Sequence, residues 1–490
     1  MTRRRTSCRP GARGWRGPGR GEAVFVQAAD EFRATTNQVC GLYPFATGSG
    51  SPMSGVPLGR NLLSGSTLCG DPISWFQNAK LIGNPSCFVL GLPAYGKSTL
   101  IRRMTLGLAG YGVVPLILGD LKPDYVDLIQ ALGGQVIRLG RARGYLNVLD
   151  PGEATSAAAR LTGSARQEVI ADARGRRHTM VCALITILRS GPPNDREETI
   201  LDRALQVLDE RHPGVPILRD LIGVLEDAPD AVREVALDRG DLERYRDLTE
   251  NLLASLKGLL GRGRVGEMFS QQTTTAMRRD VPVVYDVSSI PDTQLALQGA
   301  ALMACWSCGF GAVNVAHALA DAGLEPERHY WIVLDEVWRS LRAGLVDSMD
   351  GVTRLNRNEG VGQAMATHTM SDLEALPREE DRMKARGFVE RAGMVMCGAL
   401  PPAEFSKLRR VMAFSDAEEE MVVGWTNPPA WDGAGPEEMP PGCGNFLAKV
   451  GGRPGIPFRV VLTGAELALN DTNKRWHTKS RIHHVGGEAP

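Results

Sequence analysis

The stretch Gly91-Leu92-Pro93-Ala94-Tyr95-Gly96-Lys97-Ser98 fits G-x-x-x-x-G-K-[ST] and constrains the fold more tightly than anything else in the chain. An apolar run, Ser86 to Leu90, ends just before it, and a helical pattern opens at Lys97 and runs to Ala109. A strand that passes through such a loop into a helix points consecutive backbone N–H groups at one spot, and the positive end of the helix dipole adds to them. The spot suits phosphate oxygens. Lys97 is placed to reach β- and γ-phosphates as a point charge, and the Ser98 hydroxyl to ligate Mg²⁺. Gly91 through Thr99 are therefore the expected nucleotide-binding residues.

The surrounding pattern predicts the sheet this motif requires. Val113 to Leu118 reads as strand, Tyr125 to Leu132 as helix and Val136 to Leu139 as strand, a βαβ rhythm that indicates a parallel sheet covered on both faces. Residues 152–260 change character. They are rich in Ala, Leu, Arg, Glu and Asp at 3.6-residue spacing, as in Ile200, Leu201, Ala204, Leu205 and Leu208, with Pro192-Pro193 and Pro213 to Pro216 as punctuation. Strand character returns at Val281–Val287, Tyr330–Leu334, Val361–Thr367 and Met394–Cys397, and Asn445–Val450 with Pro457–Leu462 reads as a hairpin. The expected division is a disordered basic leader (1–22), lead-in strands and loops (23–83), the first part of an α/β core (84–151), an all-α insertion (152–265), the second part of the core with a C-terminal hairpin (266–472) and a polar tail (473–490).

The run Tyr330-Trp331-Ile332-Val333-Leu334 ends in Asp335-Glu336. A buried strand would deliver these carboxylates to the edge of the sheet that carries the phosphate loop. Asp335 can then hold Mg²⁺ through water, and Glu336 can act as the general base on an attacking water. Arg354 and Arg357, before the strand at 361–367, are candidates for an arginine supplied across a subunit interface, or lie on a solvated helix face. His368, just after that strand, either senses the γ-phosphate or is a hydrogen-bonded core histidine.

Composition removes other classes. The chain has 56 basic and 56 acidic side chains, but residues 1–21 hold seven arginines and no acid, so 49 basic residues face 56 acidic ones in the remainder. A body with net charge of −7 does not bind nucleic acid by bulk charge. Nine irregularly spaced cysteines are no disulfide framework, and Cys305-Trp306-Ser307-Cys308 reads as one turn of a core helix. The charge-free run from Thr293 to Ala320 is long enough to span a membrane, yet it contains Gln294, Gln298, Asn314 and His317 and is flanked by strand patterns, so a buried helix is expected. Gly261-Arg262-Gly263-Arg264-Val265-Gly266 fits a dinucleotide fingerprint only in spelling, because a helical pattern precedes it where a strand is needed. His477, His483 and His484 are read as solvated tail residues.

These segments together resemble the conjugative-transfer ATPases of type IV secretion systems, the large VirB-class ATPase in its actinobacterial form, within the HerA/FtsK superclass of RecA-like motors. The resemblance rests on the phosphate loop and on Gly41-Leu-Tyr-Pro-Phe-Ala46, Asp120-Leu-Lys122-Pro-Asp-Tyr125, Leu146-Asn-Val-Leu-Asp150, Val284-Tyr-Asp286-Val-Ser288, Val333-Leu-Asp-Glu-Val-Trp338 and Lys449-Val-Gly-Gly-Arg-Pro-Gly-Ile456. It implies a RecA-like P-loop NTPase core with a mostly parallel central sheet, ATP and Mg²⁺ as cofactors, and a homo-oligomer, typically a hexamer. It further implies a cytoplasmic location beside the inner face of the membrane through other secretion or conjugation proteins. A DNA-pumping coupling protein of the same superclass, or a nucleotide-binding structural subunit with little hydrolysis, remain alternatives. Ala94 replaces the family's usual glycine inside the loop, and Thr367-His368 its usual Thr-Gln.

Overall fold

A computed structural model of the chain describes residues 50–469, apart from 141–142, 261–266, 343–345, 347–348, 350–359 and 429–439. All of these belong to one compact unit, Ser49–Pro490. The leader at 1–22, the segment 41–46, the glycine pattern at 261–266, Arg354, Arg357 and the three tail histidines lie outside the described residues.

In chain order the strands are β1 (Pro57–Asn61), β2 (Thr67–Cys69), β3 (Ser86–Leu90), β4 (Val114–Asp120), β5 (Gln135–Arg138), β6 (Val283–Asp286), β7 (Tyr330–Leu334), β8 (Val361–Thr367), β9 (Met394–Cys397), β10 (Asn445–Lys449) and β11 (Ile456–Val460). They form one sheet in the order β2-β1-β11-β10-β9-β3-β8-β7-β4-β6-β5. From β9 to β5 every pairing is parallel, whereas β10, β11, β1 and β2 add on antiparallel beside β9.

The central strands are buried along their whole length because both faces are covered. Side chains alternate between two cores. Phe88, Leu90, Tyr330, Ile332 and Leu334 face one, with the long helices. Cys87, Val89, Trp331 and Val333 face the other, with the helices Pro72–Gln77, Lys97–Gly110 and Val126–Ala131.

Between β5 and β6 the described chain is helical: Ala154–Arg160, Gly163–Arg189, Asp195–Arg211, Leu218–Asp227, Asp230–Ala236 and Leu242–Leu260. Local rules explain the starts and stops. Asn194 and Glu197 form a reciprocal capping box on Asp195–Arg211, and its predicted stripe, Ile200, Leu201, Ala204, Leu205 and Leu208, is buried. The helix Leu295–Asp321 packs along Gly163–Arg189. It is the one helix among the described residues long and apolar enough to cross a membrane, and 78% of its most apolar window is buried inside the protein. Small residues let it lie close to its neighbours: a Cβ on Gly309 would stand 2.5 Å from the Leu118 side chain.

Candidate active site

The phosphate loop leaves β3 between its two parallel neighbours. Gly91 N–H donates to the His368 carbonyl beyond β8 (3.0 Å), and Leu92 N–H to the Ala399 carbonyl beyond β9 (2.9 Å). Past these anchors the chain turns through left-handed backbone at Ala94 (φ 68°) and Gly96 (φ 92°). Glycine adopts that region without cost; alanine there costs about 1 kcal/mol. The methyl of Ala94 is accommodated because the residue is exposed. The tip of the loop is propped from the antiparallel side of the sheet. Gly444 N–H donates to the Tyr95 carbonyl (3.2 Å), the Tyr95 hydroxyl to the Thr426 carbonyl (3.3 Å) and the Cys443 thiol to the Ala94 carbonyl (3.4 Å). Among the described residues, the N–H groups of Ala94, Tyr95, Gly96 and Lys97 have no acceptor. Four neighbouring donors at a helix N-terminus suit an anion.

The Lys97 ammonium is buried, 8% exposed, and donates to the carbonyls of Gly91 (2.8 Å) and Leu92 (3.2 Å) and to His368 Nδ1 (3.0 Å). Burial lowers its pKa against the opposing pull of Asp335 and Glu336. Because Nδ1 accepts from Lys97, the His368 proton sits on Nε2, which lies 3.3 Å from Glu336 Oε2. Burial likewise holds the imidazole pKa below its ordinary value. His368 is thus a bridge from the phosphate-loop lysine to the second carboxylate of the Asp-Glu pair.

Although β8 lies between β3 and β7, the helix Lys97–Gly110 crosses to the end of β7 and brings Ser98 to Asp335 (Oγ to Oδ2, 3.4 Å). The fully buried Tyr125 hydroxyl donates to the same Asp335 oxygen at 3.0 Å, and Asp335 Oδ1 accepts the Glu336 N–H at 2.8 Å. Burial raises the Asp335 pKa, and the charge of Glu336 raises it further. Glu336 itself sits at φ 52°, left-handed and strained for a side chain of its size. Burial works to raise its pKa, but Lys122, His368 and Trp338 together hold it below the usual glutamate value.

Beneath the pair, Asp120 closes the turn after β4 by accepting N–H groups from Lys122, Asp124 and Tyr125. Burial pushes Asp120 to about 7 and Asp124 to about 6. Asp120, Asp124, Asp335 and Glu336 are four carboxylates, and among the described residues the lasting cations that act on them are three, Lys97, Lys122 and Arg102. That surplus of carboxylate, with the Ser98 hydroxyl alongside, fits a divalent cation with oxygen ligands.

The structure thus brings together Gly91 through Thr99, Asp335, Glu336 and His368. Lys122, Tyr125 and Trp338 join them without having been singled out as site residues. The signal for them lay in plain view, because Lys122 and Tyr125 share one short segment with Asp120, and Trp338 follows Asp335-Glu336 directly.

No protein-family model and no curated protein sequence matches the chain. VirB4 of Thermoanaerobacter pseudethanolicus superposes with a TM-score of 0.60 at 16% identity, over 86% of this chain and 100% of that one. The fold is that of VirB4. The chain is an α/β protein with a RecA-like P-loop NTPase core. The plasmid coupling protein TrwB, solved in complex with ADP and Mg²⁺, aligns at a TM-score of 0.48 and 12% identity over 85% of this chain and 97% of its own.

Proposed function

We propose that the protein is an ATP-hydrolysing motor of the conjugative-transfer, type IV secretion kind, which powers channel or pilus assembly or substrate transfer. One observation carries this reading: Lys97, Ser98, Asp335, Glu336 and His368 meet at the carboxyl edge of one parallel sheet, linked by contacts of 3.0 to 3.4 Å. The N–H groups of Ala94 to Lys97 would receive β- and γ-phosphate oxygens, with Gly91, Leu92, Pro93 and Thr99 shaping the rim. Lys97 would exchange its two carbonyl partners for phosphate. Ser98, and Asp335 through water, would hold Mg²⁺, which when bound supplies positive charge to the phosphates.

Glu336 would accept a proton from the attacking water as its oxygen bonds the γ-phosphorus and the bridge to the β-phosphate breaks, releasing ADP. His368 would register the γ-phosphate through Lys97 on one side and pass the state to Glu336 on the other. Arg354 or Arg357 of a neighbouring subunit would complete the site in a homo-oligomer, a hexamer by the family pattern. The ring would sit in the cytoplasm against the membrane through partner secretion proteins.

Purified protein with ATP and Mg²⁺ is expected to release phosphate. Glu336→Gln should bind nucleotide without releasing phosphate, and Lys97→Ala should lose both. Robust turnover in either variant removes the site assignment. A DNA pump would instead show hydrolysis that rises with DNA and falls steeply with salt; the motor reading expects neither.

A further inference from the structure

The Glu336 carboxylate is gripped at both oxygens. Lys122 Nζ donates to Oε1 at 2.6 Å, and the Trp338 indole N–H donates to Oε2 at 2.5 Å. The two donors come from different elements, the turn after β4 and the first turn of the helix Val337–Arg342. Each is braced differently. Lys122 is half exposed and rides on the turn that Asp120 closes. The Trp338 ring carries two guanidinium groups, Arg339 and Arg342, each with its carbon 4.9 Å from the ring centre. Arg339 is buried and tied to Asp292 and to Gln298, both at 2.7 Å. Rotating the indole would forfeit both cation–π contacts.

We propose that Lys122 and Trp338 are positioning residues for the hydrolytic step, gripping the Glu336 carboxylate so that its remaining lone pairs face the attacking water. This rests on the ATPase reading above. The chemistry explains the need. Glu336 sits on left-handed backbone two residues past the end of β7, outside the strand ladder that would otherwise hold it. A general base supplies about 10²–10⁴ in rate only when it is aimed at the proton it takes. Two donors from separate elements aim it, and His368 adds a third contact on Oε2. Neither Lys122 nor Trp338 has a described hydrogen bond to the residues Ala94 to Lys97, and Lys122 reaches Lys97 through charge alone, so the larger effect of each falls on the chemical step and not on nucleotide capture.

Trp338→Phe keeps an aromatic ring beside the arginines and removes the N–H. It is expected to lower kcat about tenfold, part of what an aimed base provides, with KM for ATP unchanged. Lys122→Met is expected to do the same, and Lys122→Arg to restore most of the loss. A rise in KM at constant kcat, unchanged kinetics in both variants, or a Lys122→Arg as poor as Lys122→Met would overturn the proposal. Melting temperatures of the three variants separate these outcomes from misfolding.

A second readout needs no turnover. The difference in emission between the wild type and Trp338→Phe isolates Trp338, and repeating the subtraction in a Glu336→Ala background removes its acceptor. The Trp338 emission is expected to shift between the two backgrounds. An identical difference spectrum in both overturns the grip, even for a protein that binds ATP and releases no phosphate, a result that would separately end the ATPase reading.

Discussion

Two sets of buried charges distinguish the mouth of the sheet from the helices between β5 and β6. At the mouth, burial drives ionisable groups toward neutrality: Asp120 to about 7, Asp124 to about 6, Asp335 upward and Lys97 downward. Among the helices, the most buried charges sit in ion pairs. Arg189 forms a two-pronged pair with Glu197 at 2.8 and 2.9 Å and also reaches the Ser255 hydroxyl and the Asn251 carbonyl. Arg177 pairs with Asp209 in the same forked way, both contacts at 2.7 Å. Burial works to raise Glu197, but Arg189 wins and holds it below its ordinary value. Matched charges hold helices together; the unmatched surplus at the mouth is suited to a charged ligand. Lys122 and Glu336 are the matched pair within the unmatched set, which is why that contact reads as a positioning device.

Exchanging readouts between the two regions gives the largest test. Lys97→Ala should lower phosphate release by at least about 10², the scale of losing one preorganised charge at a phosphoryl-transfer site. It should cost no thermal stability, because it removes a buried ammonium that burial already disfavours. Arg189→Met should do the opposite. Glu197 is 3% exposed, so losing its partner leaves a buried carboxylate unpaired, worth about 3 kcal/mol in a denaturant titration. Turnover per folded molecule should stay at the wild-type value. A stability loss in Lys97→Ala as large as that of Arg189→Met would erase the distinction.

The same contrast explains what could be read without a structure. Strands β3, β7, β8 and β9 fall on the bounds expected from sequence; β7 and β9 are continuous apolar runs with sharp ends, as strands buried on both faces are, and β8 keeps its bounds although Gln363 interrupts it. The phosphate loop was legible for a similar reason: its geometry demands glycine and lysine at set positions. Strand order was not legible, since nothing in residues 361–367 says that they lie between β3 and β7. Nor was the prop under the loop, where Gly442-Cys443-Gly444 looks like an ordinary turn until Gly444 meets Tyr95. Tyr125 and Trp338 stand in segments that carry the resemblance, yet neither shows a site role in sequence, because an aromatic ring reveals one only when its polar tip is seen to have a partner.

Tyr125 supplies a test of intermediate size. Its hydroxyl is the only described donor besides Ser98 and the Glu336 N–H that reaches Asp335. Tyr125→Phe keeps the ring in its buried place and removes one hydrogen bond, worth about 1 kcal/mol. Phosphate release at fixed ATP should fall several-fold, and the Mg²⁺ concentration for half-maximal activity should rise. An unchanged Mg²⁺ titration would show that Asp335 is aimed without the phenol.

The smallest effect separates the regions by pH. Glu325, in the link before β7, is tied to the helical region by Arg160 at 2.6 Å and is also bound by Arg279 at 2.5 Å and Arg328 at 3.0 Å; Arg160 leads in holding its pKa down to about 2 from an ordinary 4.5. Below pH 4.5 the unfolded chain takes up this proton before the folded one does, so stability falls as the pH drops toward 2. Asp120 has the opposite sign. Burial raises it from 3.8 to about 7, so between those values the folded state holds the proton and the unfolded state does not, and stability falls as the pH rises. Urea midpoints measured across this range should show both limbs. Glu325→Gln should flatten the acid limb alone, because it removes the depressed carboxylate and leaves Asp120 in place. Asp120→Asn should flatten the limb approaching neutrality alone. If both variants flatten the same limb, the matched and unmatched carboxylates are not electrostatically distinct, and the division between a structural region and a ligand-binding one loses its physical basis.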